Sequence, residues 1–368
     1  FLAALFILAT GITVLQVAAN PYVSVLGKPE TASSRLNLSQ AFNSLGTTVA
    51  PAFGGLLILS ASAYTVEQIA AMSPSELTAF KAMEASTVQG PYIGLGVTLF
   101  IMAGIFAILK LPTISEIDER EDHHTFAEAL KVPHLLFGVI AIFMYVGAEV
   151  SIGSYLINFI AELGIDGFPT DPREAEKAAA PFVSLYWGGA MIGRFLGSIS
   201  MSDIESAGKK LLYSLGIFVF AAVIGWSFSQ SLNLTLTFLA FVLANYMMFQ
   251  LGSGAPGKTL GILALTAAAL SVLTIFLGGM PAVWAILSVG LFNSIMFPTI
   301  FTLGIKDLGK LTGKGSSLLI MAIVGGAIIP VIMGALADGI GIQAAFFLPA
   351  LCYVYIAFFG FKGSEVKS

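Results

Sequence analysis

Apolar residues run along this chain in long unbroken blocks, not in the alternation of a half-buried strand. Each block is about as long as a helix must be to cross a hydrocarbon core, on the order of 20 residues. Eleven are readable: 1–27, 36–60, 91–111, 134–161, 179–200, 210–230, 233–251, 259–278, 282–303, 316–337 and 343–361. Membrane-spanning strands would instead show about ten residues of alternating polarity, so the pattern predicts an all-α membrane protein. The block at 233–251 is the most diluted, by Asn233, Asn245 and Gln250. Two connectors stand out. MSPSELTAFKAMEAS, within 61–90, places Ser73 before Pro74 and Glu76, which predicts a capped surface helix. LPTISEIDEREDHHTFAEALKVP, at about 111–133, is charged and mostly acidic and predicts a linker between two helical bundles.

Composition sharpens this picture. Of 368 residues 57% are hydrophobic and 10% charged, against about 25% charged in a typical soluble domain. The net charge of −4 with no basic stripe argues against nucleic acid as a partner, and the lone Cys352 excludes an intramolecular disulfide. The chain opens on Phe1 inside an apolar run with no basic segment or cleavage pattern before it, which predicts an internal starting point rather than a signal peptide.

Basic residues divide unevenly between alternate connectors. One set holds Lys28, Arg35, Lys110, Arg120, Lys131, Arg194, Lys209, Lys210, Lys258, Lys306, Lys310, Lys314, Lys362 and Lys367. The other holds Lys81, Arg173 and Lys177. Basic connectors stay cytoplasmic, so residue 1 is expected outside and the C-terminus inside.

An internal repeat organises the spans. PYVSVLG at 21–27 and PTIFTLG at 298–304 both read Pro-x5-Gly with Leu before the Gly. Each precedes a short basic loop and a further helix with a proline, Pro51 or Pro330. A parallel repeat of this kind marks the two halves of a major-facilitator transporter. Five spans lie between the linker and the second copy and none before the first, so part of the first bundle is expected upstream of Phe1.

Candidate chemistry is sparse. GSGAPGKT at 252–259 fits the phosphate-loop pattern, but that chemistry needs a preceding strand and an acid for Mg²⁺; here it joins two apolar spans and predicts a tight turn with Lys258 at the surface. Of 21 acidic and 17 basic residues, only Glu149, in IFMYVGAEVSIGSYL, is expected mid-span. A charge there costs about 2.5 kcal/mol or more on insertion scales and faces a polar cavity. It suits cation coupling or a sugar hydroxyl, and its bland alternative is a structural ion pair. Gly189, Gly193 and Gly197 form a small-residue ridge for helix packing, with Arg194 expected near the cytoplasmic end. Gln16, Asn20, Gln40, Asn43 and Asn293 supply amides, which both donate and accept as sugar hydroxyls require; interhelical bonding is the bland alternative. His123 and His124 beside Asp122 fit a solvated linker better than a metal site. No nucleophile–base pair is readable, so no enzyme is expected.

The motifs LQVAANPYVSVLG, SSRLNLSQAFNSLGTTVAP, MSPSELTAFK, FPTIFTLGIKDLG and GSSLLIMAIVGGAIIPVIMGALAD resemble the fucose/glucose/galactose permease family of the major facilitator superfamily. The resemblance implies a twelve-helix core and cation-coupled monosaccharide uptake, with H⁺ or Na⁺ as the coupling ion and no cofactor. It implies a monomer spanning a bacterial inner membrane. By this likeness residue 1 begins in the fourth helix, residues 1–112 are the rest of the N-terminal bundle (family helices four to six), 113–133 the linker, and 134–368 the C-terminal bundle with about two extra spans within 210–278. Fucose permeases carry a carboxylate where this chain has Gln16 and an amide where it has Glu149, which resembles the glucose/galactose branch. Sugar-binding residues are then expected among Gln16, Asn20, Gln40, Asn43, Glu149 and Asn293, and coupling at Glu149. The alternatives are a carrier or exporter of another small polar solute, and a non-transporting membrane sensor, scaffold or inactive fragment.

Overall fold

A computed structural model describes residues 2–57, 69, 71–112, 125–165 and 167–366. Among the described residues every regular element is helical. In chain order they are α1 (Leu2–Val25), α2 (Ala32–Leu57), α3 (Pro74–Thr87), α4 (Gln89–Ile108), α5 (Phe126–Ala129), α6 (Pro133–Glu162), α7 (Pro172–Ser200), α8 (Ala207–Ser229) and α9 (Leu232–Gly252). There follow α10 (Pro256–Phe276), α11 (Gly279–Phe292), α12 (Met296–Gly304), α13 (Thr312–Met321), α14 (Gly325–Ile340), α15 (Ile342–Ala345) and α16 (Phe347–Phe358). Among the described residues nine segments are long and apolar enough to cross a membrane. α11–α12, α13–α14 and α15–α16 each combine into one of them, and the diluted block at 232–252 is another. The spans expected at 36–60 and 179–200 fall on α2 and α7, which are long but carry polar residues; these two helices supply much of the site below.

The helix ends follow local chemistry. α3, α6 and α10 have proline in the first turn, where its missing N–H is no loss. α8 and α9 stop at Gln230 and Ser253 in the left-handed region. With Gly254 at φ 72°, Ser253 turns the chain from helix α9 into helix α10. No strand leads into GSGAPGKT, and the expected turn is what forms. His123 and His124 lie outside the described residues.

Ser73 caps α3 as the sequence predicts. Its hydroxyl accepts the Glu76 N–H, and the Glu76 carboxylate accepts the Ser73 N–H at 2.8 Å and its hydroxyl at 2.6 Å. These bonds hold the exposed Glu76 carboxyl below the usual carboxylate range, the side-chain bond first. The folded value is depressed, so the cap is intact above the unfolded value of about 4.3 and is lost as pH falls through the folded one. Hydrogen-exchange protection of the Leu77 and Thr78 amides, corrected for intrinsic rate, is expected to drop below that pH. Ser73→Ala is expected to give the same fraying at neutral pH.

The chain divides into two compact units, Phe1–Leu45 with Ser115–Ser368, and Gly46–Ile114. In the smaller, α3 packs on α4. In the larger, α6 packs on α7, α12, α14 and α16, and α11 on α7 and α10. Its core holds the fully buried Tyr145, Tyr186, Tyr353, Phe159, Phe301 and Phe346. The three spans within 210–278 divide unevenly. α10 is half buried against α11 and α16, whereas α8 and α9 form a less buried hairpin that packs on α7 and exposes Leu212, Val219, Val223, Leu236 and Met247.

Cross-helix bonds fix directions. Arg35 donates to the carbonyls of Val23 and Ser24 at 3.2 and 2.6 Å, and Gln40 Nε2 to Asn20 Oδ1 at 3.4 Å, so α2 returns antiparallel to α1. Ser33 meets Thr302 at 2.7 Å and Asn37 meets Thr299 at 3.5 Å, so α2 also runs antiparallel to α12. α1 and α12 therefore point the same way, as the repeat requires. The likeness extends to the connectors, since 3₁₀ turns at Pro29–Thr31 and Gly309–Leu311 lead into α2 and α13. The copies differ at their middles: α1 continues through Pro21, whereas the second span breaks between Phe292 and Met296.

The glycine ridge explains how α7 meets that break. A Cβ on Gly193 would sit 2.6 Å from the Leu291 carbonyl oxygen and collide with Ser294 Oγ, and one on Gly197 would collide with Ile295. Only a hydrogen fits there, so the α7 backbone lies directly against residues 291–295.

Candidate functional site

Where α7 meets the broken span, Arg194 projects into the interior and is 8% exposed. Pro298 has no N–H to offer the carbonyl four residues back, which leaves that of Ser294 free. Arg194 Nε takes it at 2.9 Å. Nη2 lies 3.4 Å from Glu149 Oε1 and from the Tyr145 hydroxyl, and Nη1 donates to Ser44 Oγ on α2. Tyr145 donates to Glu149 Oε1 at 2.5 Å, and Tyr186 donates to the Glu149 backbone carbonyl at 3.3 Å. Glu149, itself 8% exposed, thus has a counter-charge and two phenols around it. A buried charge survives only when paired and hydrogen-bonded in this way.

Two amide groups adjoin this centre. Asn20 accepts the bond from Gln40, while its Nδ2 is buried without a partner. Ser44, one turn beyond Gln40, donates to the Gln40 carbonyl at 3.0 Å. Asn293 is fully buried, and its Nδ2 reaches the hydroxyls of Tyr186 and Tyr353 at 3.1 Å each. Gln40 therefore joins two sets of bonds, its side chain to Asn20 and its backbone carbonyl through Ser44 and Arg194 to Glu149, and Tyr186 joins the Glu149 backbone carbonyl to Asn293.

The structure brings four of the six expected residues into these bonds: Asn20, Gln40, Glu149 and Asn293. Gln16, half-buried, and Asn43, exposed, lie on the same two helices beside them. Arg194 does not sit at a helix end as expected. It belongs to the interior and not to a basic connector, and the asymmetry of the connectors survives its removal. Glu149 is consequently not the one charge inside the spans. Tyr145, Tyr186, Tyr353, Ser44 and Ser294 were not singled out from the sequence. Tyr145 carried a usable signal, four residues before Glu149 on the same helix face. The others become partners only by packing.

One end of this assembly is shut. Besides Ser33–Thr302, Ser34 Oγ donates to the Ser198 carbonyl at 2.7 Å, and Lys28 pairs with Asp203 at 3.4 Å across the surface. These contacts join the α1–α2 hairpin to α7 and α12.

No family model matches the chain. A glucose/galactose transporter of Brucella abortus is 44% identical over 365 residues, which is 99% of this chain and 72% of that relative. The L-fucose-proton symporter of Escherichia coli is 32% identical over 367 residues, 98% of this chain and 70% of that protein. A crystal structure of a Major Facilitator Superfamily transporter, FucP, in the outward conformation superposes with a TM-score of 0.75 at 32% identity, covering 99% of this chain and 76% of that one.

Proposed function

The chain belongs to the family of the glucose/galactose and L-fucose transporters, sugar carriers of the major facilitator superfamily and not enzymes, and we propose that it couples glucose or galactose uptake to a proton carried by Glu149. The two bundles, 1–112 and 134–368, alternate access around a midplane site about the linker 113–133. The protein lies in the bacterial inner membrane as a monomer with its C-terminus in the cytoplasm, so the shut end, rich in Lys28, Lys306 and Lys310, faces the cytoplasm. Asn20 and Gln40, with Gln16 and Asn43 beside them, offer donors and acceptors to sugar hydroxyls. Asn293 contributes through Tyr186 and Tyr353.

The observation that carries this reading is the junction at Arg194. The one carboxylate there is tied through Arg194 and Ser44 to the turn of α2 that carries Gln40, so a change at one bears on the placement of the other. A proton fits that carboxylate better than Na⁺ does. Sodium needs several oxygen ligands, and a guanidinium 3.4 Å away repels it, whereas a proton neutralises Glu149 without added ligands. The test is uptake of labelled glucose and galactose into vesicles holding the protein. An inward proton gradient is expected to drive accumulation and a Na⁺ gradient is not. Exchange of sugar with no accumulation under either gradient would overturn symport and leave passive carriage.

A further inference from the structure

Arg194 bonds to four residues on three elements at once: Glu149 and Tyr145 on α6, the Ser294 carbonyl at the break before α12, and Ser44 on α2. Among the described residues, the Ser44 bond is the one from Arg194 that reaches the α1–α2 hairpin, and that hairpin makes the contacts of the shut end: Ser33 with Thr302, Ser34 with Ser198, Lys28 with Asp203. Glu149 is the only carboxylate against the guanidinium among the described residues. The other titratable groups facing Glu149 are Tyr145 on its own helix and Tyr186 on α7, with Tyr353 on α16 behind Asn293. All of these are phenols that stay neutral across the physiological range.

We infer that Arg194 is the positioning residue that transmits the protonation of Glu149 to the cytoplasmic closure, through its bond to Ser44. The inference rests on the reading of Glu149 as the coupling group. With Glu149 ionised, the guanidinium is neutralised and held in one place, and it keeps Ser44, and with it α2, drawn against α7 and α12. When Glu149 takes a proton, the guanidinium is left as a buried cation without a counter-charge, which is strongly unfavourable. It then moves toward water or toward bound sugar, and α2 is released. Closure should therefore be firm at high pH and loosen as pH falls, the order that symport into the cell requires.

The test uses spin labels at Lys28→Cys and Asp203→Cys with Cys352→Ala in the reconstituted protein. The exposed pair these labels replace contributes little to closure. Inter-label distance is read by dipolar EPR across pH. The parent is expected to show a short-distance population at high pH that declines on acidification. Glu149→Gln is expected to show little of that population at any pH, and so is Ser44→Ala. Ser44→Thr keeps the hydroxyl and is expected to restore the titration, which a packing defect at α2 would not do. Should Ser44→Ala titrate like the parent, or Ser44→Thr fail to restore the titration, transmission through Ser44 is wrong while the symport reading stands. Should Glu149→Gln itself titrate like the parent, Glu149 is not the group sensed and both readings fall.

Discussion

Replacing Glu149 with Gln is expected to abolish concentrative sugar uptake while exchange of labelled for unlabelled sugar continues. The substitution keeps the shape of the side chain and an oxygen able to accept from Tyr145 and Arg194, whose distances are 2.5 and 3.4 Å. What it removes is the ability to take up and release a proton. A carrier without that group can still equilibrate sugar across the membrane, because the amides of Asn20 and Gln40 are untouched, but it has no means of linking the two fluxes. The measurement is labelled-sugar accumulation in vesicles with and without an imposed pH gradient, alongside counterflow at zero gradient. Accumulation at the parent level would show that the carboxylate serves only as a partner for Arg194, and proton coupling would have to lie elsewhere.

Arg194→Leu is expected to cause the largest loss of stability. The leucine fills part of the volume, but Glu149 is left in the interior with no counter-charge, and Ser294 loses the donor that replaced the missing N–H of Pro298. Breaking one side of a buried ion pair costs about 3–5 kcal/mol, a large share of the total for most proteins. Thermal unfolding in detergent should move down by many degrees. The double variant Glu149→Gln with Arg194→Leu should recover much of the loss, because no isolated charge remains. The pattern to look for is this non-additivity. If the two single losses simply sum, the pair contributes through packing alone and the electrostatic account of the junction fails.

The candidate site was legible in the sequence to different depths at different residues. Glu149 stood out because a carboxylate in the middle of an apolar block is costly wherever the helix packs. Asn20 and Gln40 stood out because amides in such blocks need partners. Gln16 and Asn43 share those helix faces, and what they bond to is decided by neighbouring helices. Arg194 was misplaced because it stands within two turns of the helix end at Ser200, where an arginine that can reach water needs no partner. Its true partners lie at sequence separations of 45, 100 and 150 residues, beyond the reach of any periodicity.

The amino-acid sequence by itself determined the spans, the turn at 253–254, the capped helix from Pro74 and the direction of the two repeat copies. Each of these depends on properties local to a few residues or a single helix: apolar length against bilayer thickness, backbone freedom at turns, side-chain capping, and the parity of crossings. Only the tertiary structure decided that Arg194, Glu149, Ser44 and Ser294 form one junction. It did so because Gly193 and Gly197 let α7 lie against residues 291–295, where a proline four residues on has left a carbonyl without its helical donor. Close approach and a missing backbone bond together set which buried groups must satisfy one another. Neither is a property of a sequence position taken alone.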